Sequence, residues 1–104
     1  MDWNTKEKRQ LLRAILALKT EEEAASFLRD ILTKTEIEEL SNRLTAAEML
    51  SRKESYTTVE KATGLSSTTV ARVAKWLWSG EGGYKTIIAR LHHHTPIQAR
   101  RGLP

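Results

Sequence analysis

Apolar residues recur at helical spacing along most of this 104-residue chain, and no segment alternates polar and apolar positions as a half-buried strand does. The pattern predicts an all-α protein of about six helices. Leu11, Leu12, Ile15, Leu16 and Leu18 mark a first helix over about 4–19. Ala24, Phe27, Leu28 and Ile31 mark a second, and Ile37, Leu40, Leu44, Ala47 and Leu50 a longer third that ends near Arg52. Thr20 with Glu23 and Thr33 with Glu36 have the spacing of a capping box, in which hydroxyl and carboxylate satisfy exposed N–H groups at a helix start.

The next segment changes rhythm. Thr57 with Glu60 predicts the start of a short helix carrying Val59 and Ala62, and Gly64 can end it because glycine adopts left-handed geometry without a Cβ penalty. Only Leu65 and Ser66 then precede another helix, for which Ser66 is a strong N-cap and Val70, Val73 and Leu77 supply an inward face. Val59 and Val70 are expected to pack inside the corner between the two helices. A short helix, a glycine turn and an amphipathic helix with a polar outer face form the pattern of a helix-turn-helix over 57–78. Its outward residues are Ser67, Thr68, Thr69, Ala71 and Arg72. Small hydroxyl side chains near a helix N-terminus suit a major groove, because they reach base edges or phosphates without holding the helix away. Arg72 and Lys75 add attraction to phosphate. After the glycine-rich stretch 79–83, Tyr84, Ile87, Ile88 and Leu91 predict a last helix over 84–92. From there the periodicity fades, and 93–104 reads as a basic irregular tail.

Composition narrows the field without naming a function. A chain of this size with 39% hydrophobic residues buries one modest core, which self-association often completes. The absence of cysteine excludes disulfides, thiolate metal sites and cysteine nucleophiles. Neither a long apolar span nor a secretory leader is legible, so the expected location is the cytoplasm and no membrane partner is expected. The formal charge of +4 is unevenly placed: residues 1–42 hold seven basic and nine acidic side chains, residues 43–104 ten and four. Residues 85–104 alone, with Lys85, Arg90, Arg100, Arg101 and no acid, account for the whole excess. That segment is a candidate accessory arm along a phosphate backbone.

Other constellations carry less. Gly80 to Thr86 resembles a phosphate loop only loosely, since Tyr84 intervenes before Lys85 and no strand precedes it. His92, His93 and His94 are adjacent in sequence and therefore diverge, unlike the i, i+4 pairs that hold a metal; no metal or cofactor is expected. The glutamates at 21–23 and at 36, 38 and 39 sit where carboxylates stabilise helix beginnings, and no nucleophile, base and acid stand in a catalytic pattern, so no enzyme is expected. Trp76 and Trp78 bracket Leu77 and cannot share its face; one or both should meet the last helix or a second copy. Aromatic residues are too few and too irregularly spaced for a single-strand stacking platform.

Ile31-Leu32-Thr33, Leu40 and Arg43, then Gly64 and Thr69-Val70-Ala71-Arg72, resemble the bacterial tryptophan repressor superfamily. The glycine-rich Ser79-Gly80-Glu81-Gly82-Gly83-Tyr84-Lys85 is similar to the link carried by its TrpR-like YerC/YecD branch. The resemblance covers roughly residues 5–92 and is most specific from 31 to 85. It implies an intertwined homodimer built by residues 4–52 and double-stranded DNA read by 57–78. It also implies base-reading positions at Ser67, Thr68 and Thr69 and phosphate contacts near Thr57, Glu60 and Ala71, with Glu60 a departure because its carboxylate repels phosphate.

The family's corepressor pocket maps onto Thr33, Arg43, Arg72, Val73 and Trp76. Two of these depart from the family pattern, Val73 standing for a glycine and Trp76 for a serine, so tryptophan is not expected to bind and any effector is unknown. Arg43 has a plainer reading as the partner of Glu39, four residues before it. The sequence therefore points to a sequence-specific DNA-binding regulator, with Thr57, Ser66, Ser67, Thr68, Thr69, Ala71, Arg72 and Lys75 as the contact set. The alternative is a helical protein-interaction adaptor whose corner never meets DNA.

Overall fold

A computed structural model describes residues 1–98, of which 93–98 by backbone alone. It contains α1 (Lys6–Ala17), α2 (Glu21–Ile31), α3 (Lys34–Ser51), α4 (Tyr56–Thr63), α5 (Ser67–Ser79) and α6 (Gly83–Gln98), with no strand among the described residues. The described residues adopt the expected all-α class with six helices. It divides into two compact units, residues 1–37 and the residues from Glu38 onward.

In the first unit the helix limits follow from caps. Thr5 opens α1 by accepting the Lys8 N–H, and the Thr20 hydroxyl accepts the Glu23 N–H to open α2. The Glu23 carboxylate reaches back to the Lys19 N–H at 2.9 Å. Drawing Lys19 into that cap, with Leu18 already extended, ends α1 at Ala17 rather than at the expected Lys19. Thr33 and Glu36 form the reciprocal box before α3, with Thr33 N–H to carboxylate at 2.8 Å and Glu36 N–H to hydroxyl at 3.1 Å. Neither α1 nor α2 buries a single residue. The apolar stripe of α1 lies open, with Ile15 50% and Leu16 83% exposed, and Ile31 of α2 is 51% exposed.

The second unit holds the core. Ala46, Ala47, Met49 and Leu50 of α3 pack with Val59 of α4, with Val70, Val73, Ala74 and Leu77 of α5 and with Ile88 of α6; Leu44, Leu65 and Tyr84 close its edges. The expected stripe of α3 is thus realised at its C-terminal half, whereas Leu40 is exposed. Ser55 caps α4, accepting the Thr58 N–H at 3.1 Å. This corrects the expected start at Thr57: Ser55 has the extended backbone of a cap and an equally able hydroxyl, so Tyr56 and Thr57 are already inside the helix.

The link after α5 needs its glycines. A Cβ on Gly80 would stand 2.4 Å from the Trp76 carbonyl oxygen, and Gly82 has a φ of 89°. The last helix begins near the expected place but continues to Gln98, beyond the expected limit at His92. Fading apolar periodicity there does not end the helical backbone. Residues 99–104 of the expected tail lie outside the described residues.

Candidate nucleic-acid interface

The corner between α4 and α5 is built by three local devices. Gly64 takes φ 74° and its N–H donates to the Glu60 carbonyl at 2.8 Å, closing α4 as expected. Thr63, nearly buried, donates its hydroxyl to the Val59 carbonyl at 2.8 Å and accepts the Leu65 N–H at 3.2 Å, so one side chain joins the end of α4 to the turn. Ser66 opens α5, its Oγ accepting the Thr69 N–H at 3.1 Å. Behind the turn, Val59 and Val70 are both fully buried, which locks the two helices together.

Burial of one face of α5 defines the other. With Val70, Val73, Ala74 and Leu77 turned into the core, Ser67, Thr68, Ala71, Arg72 and Lys75 are exposed, and Thr69 is half-buried beside the cap. Thr57 is exposed on the first turn of α4, with Lys61 exposed one turn later and Glu60 partly covered. The structure thus gathers the sequence-derived contact residues on one helix pair. The hydroxyls of Ser67 and Thr68 are free of the core at the positive end of the α5 dipole, and the cations of Arg72 and Lys75 are exposed further along the helix.

The five residues of the mapped effector pocket have different surroundings. Thr33 belongs to the first unit, where its hydroxyl caps α3. Arg43 is bound to Glu39 at 2.7 Å, the pairing its spacing implied, while its Nε is buried without a partner. Arg72 is exposed on the outer face of α5, and Val73 is fully buried, a core residue with no surface to offer. Trp76, 42% exposed, walls an open cavity of about 790 Å³ together with Leu44 of α3, Gly80 and Gly83 of the link, and Tyr84 and Ile87 of α6. Burial raises the Tyr84 phenol above its ordinary pKa, and the positive charge of Arg43 opposes part of that rise.

Sequence reasoning missed Leu44 and Tyr84 as cavity walls and Lys53 as a neighbour of Trp78, because the contacts join positions far apart in the chain. The bracketing of Leu77 did carry one usable signal. Residues two apart on a helix diverge by about 200°, so Trp76 and Trp78 leave α5 on opposite flanks, each beside α6 residues.

Among the described residues no group of His, Asp and Glu side chains could hold a metal ion, and no helix is long and apolar enough to cross a membrane. His92 is exposed; the side chains of His93 and His94 lie outside the described residues.

Comparison with known proteins places this architecture. The family model of the Trp repressor protein matches residues 6–92. The uncharacterized protein YerC of Bacillus subtilis is 38% identical over 86 residues, 83% of either chain. The crystal structure of a TrpR-like protein from Eubacterium eligens superposes with a TM-score of 0.82 at 38% identity, covering 86% of this chain and 93% of that one. A second crystal structure, from Staphylococcus aureus, gives 0.82 at 34% identity over 88% and 95%. A six-helix chain with a glycine-turned α4–α5 corner, matched over nearly its whole length by that model and by these relatives, belongs to the Trp repressor family and, within it, to the TrpR-like YerC branch.

Proposed function

We propose that this protein is a sequence-specific double-stranded DNA-binding transcriptional regulator, acting in the cytoplasm as a homodimer through the α4–α5 helix-turn-helix. The observation that carries the reading is the division of α5 into a buried apolar face and an exposed face, with Ser67 and Thr68 at its capped N-terminus and Arg72 and Lys75 further along. Ser67, Thr68 and Thr69 meet base edges, while Thr57, Ser66, Ala71, Arg72 and Lys75 meet the sugar-phosphate backbone. Two such helices in a dimer reach successive major grooves about one helical turn apart.

Self-association is supported by α1 and α2, whose apolar stripes bury nothing within the chain. A helix face of this kind is stable in water when another surface covers it. Sign of regulation follows the family, so repression is the expected mode.

Tryptophan does not serve as corepressor in this reading. Val73 fills core volume at the position where the family has glycine, and the indole of Trp76 stands where the family has a serine hydroxyl. Calorimetric titration with tryptophan should show no saturable binding; micromolar binding near one per chain would contradict this part.

Selection of genomic fragments by the purified protein, followed by affinity measurements across salt concentrations, tests the DNA reading. An enriched sequence is expected, with affinity falling steeply as salt rises and lost on charge reversal at Arg72 or Lys75. Absence of duplex binding at low salt would leave the adaptor reading in its place.

A further inference from the structure

The flank of α5 opposite Trp76 carries a second cavity that the regulator reading does not use. It is open, about 630 Å³ in volume, and lies among the end of α3, the end of α5 and α6. Leu77 and Ile88, both nearly buried, form its apolar floor, and the half-exposed Trp78 is one wall. That volume falls in the range of small-molecule sites, roughly 300–1,000 Å³.

Its rim is cationic. The Lys53 Nζ stands 4.5 Å from the Trp78 ring centroid and the Lys85 Nζ 5.5 Å, both within cation–π range. Of these two lysines Lys85 lines the cavity, as does Arg52, held 3.2 Å from Glu54, and no carboxylate is among the lining residues. Lys53 reaches its place from a left-handed backbone, φ 69°, the one such non-glycine position among the described residues. A lysine rather than a glycine at this helix end puts an ammonium beside the indole at a cost in backbone strain.

We propose that this cavity binds a small organic anion with a flat apolar body, an aromatic carboxylate being the simplest case. An ammonium resting on a π face keeps N–H donors for another partner. Trp78 therefore holds two ammonium groups before a ligand arrives, that of Lys85 in the cavity wall and that of Lys53 on the indole outside the lining, which lowers the ordering cost of binding an anion. The apolar body of the ligand lies on Leu77 and Ile88 while its carboxylate meets Lys53 and Lys85. The site is separate from the cavity walled by Trp76 on the other flank of α5, and it stands or falls without reference to DNA.

The test titrates full-length protein with naphthalene-2-carboxylate and with its neutral counterpart 2-naphthamide, following the tryptophan indole N–H signals by NMR, with Trp78→Phe to assign them. The expected result is a saturable shift of the Trp78 signal by the carboxylate and affinity at least about tenfold weaker for the amide, the scale of a lost charge-assisted contact. Lys53→Gln and Lys85→Gln, each checked for an unchanged circular dichroism spectrum, should each weaken carboxylate binding while leaving the amide unaffected. Equal affinity for the two probes, insensitivity to both lysine substitutions, shifts centred on Trp76, or no saturable binding would each overturn the proposal.

Discussion

Ser66 and Thr69 are joined twice: the Ser66 Oγ accepts the Thr69 N–H at 3.1 Å and donates its own proton to the Thr69 Oγ1 at 3.0 Å. The cap thus occupies an acceptor of a residue also placed among the base readers. In the proposed complex Thr69 would retain its hydroxyl proton for a base, whereas Ser67 and Thr68, exposed and outside this cap, keep more freedom.

Ser66→Ala should therefore destabilise the domain by about 1 kcal/mol, the usual loss of an N-cap. In a domain of this size that lowers the thermal midpoint by roughly 4–8 °C. Ser66→Asp separates the two roles of the position: it should keep most of the stability, since aspartate caps well, yet weaken duplex binding through repulsion of phosphate. Thermal melts by circular dichroism and duplex titrations measure the pair.

Gly64 offers a test of the corner. No atom lies within 4 Å of a Cβ placed there, so Gly64→Ala meets no clash and its cost is the left-handed backbone alone, about 1–2 kcal/mol. Asparagine, which tolerates that region better, should cost less. Denaturant unfolding of the two variants should rank them in that order; equal stability of all three proteins would mean that the turn relaxes.

Leu16 on α1 is 83% exposed, so Leu16→Glu removes no packing within the chain. If the α1 stripe meets a second copy, this variant dissociates the dimer at micromolar concentration while keeping its helical content. Sedimentation equilibrium reads the first and circular dichroism the second. An unchanged assembly would take α1 out of the interface.

Tyr84 makes stability sensitive to alkaline pH. Its phenol is raised by burial, with the nearby charge of Arg43 as a lesser opposing influence. Between the ordinary phenol value of about 10 and the raised folded value, the unfolded chain has already lost a proton that the folded chain keeps. Stability should therefore fall as pH rises through that window and be unaffected by this group at lower pH. Tyr84→Phe should fall less steeply than the parent protein in urea unfolding between pH 9 and about 11.

Much of this was legible in the sequence for physical reasons that differ by element. Helix number, the Thr20 and Thr33 caps, the Gly64 stop and the Ser66 start are local devices, readable wherever the right residue stands at the right spacing. Burial was legible where the stripe was confirmed by a neighbour, as for Val59, Val70, Val73 and Leu77, and not where it awaited a partner, as on α1. Ser55 was overlooked because two hydroxyl residues near one helix start compete, and spacing to Glu60 favoured the wrong one. The two aromatic cavities were invisible because Leu44 and Tyr84, or Lys53 and Trp78, meet only after three helices have folded around one core. Family resemblance mapped an effector pocket that includes Val73, and the limit of such mapping is plain there: Val73 is fully buried in the core.

Thr63 has a consequence for how a duplex is recognised. Its hydroxyl bridges the Val59 carbonyl and the Leu65 N–H, and with Val59 and Val70 fully buried behind it the corner has little room to flex. In the proposed complex, two helices fixed at one angle cannot accommodate variation in groove width, so the adjustment falls to the DNA. Sequences that bend or narrow at low cost would then be preferred even at base pairs no side chain touches, and part of the operator's identity would be written in its stiffness.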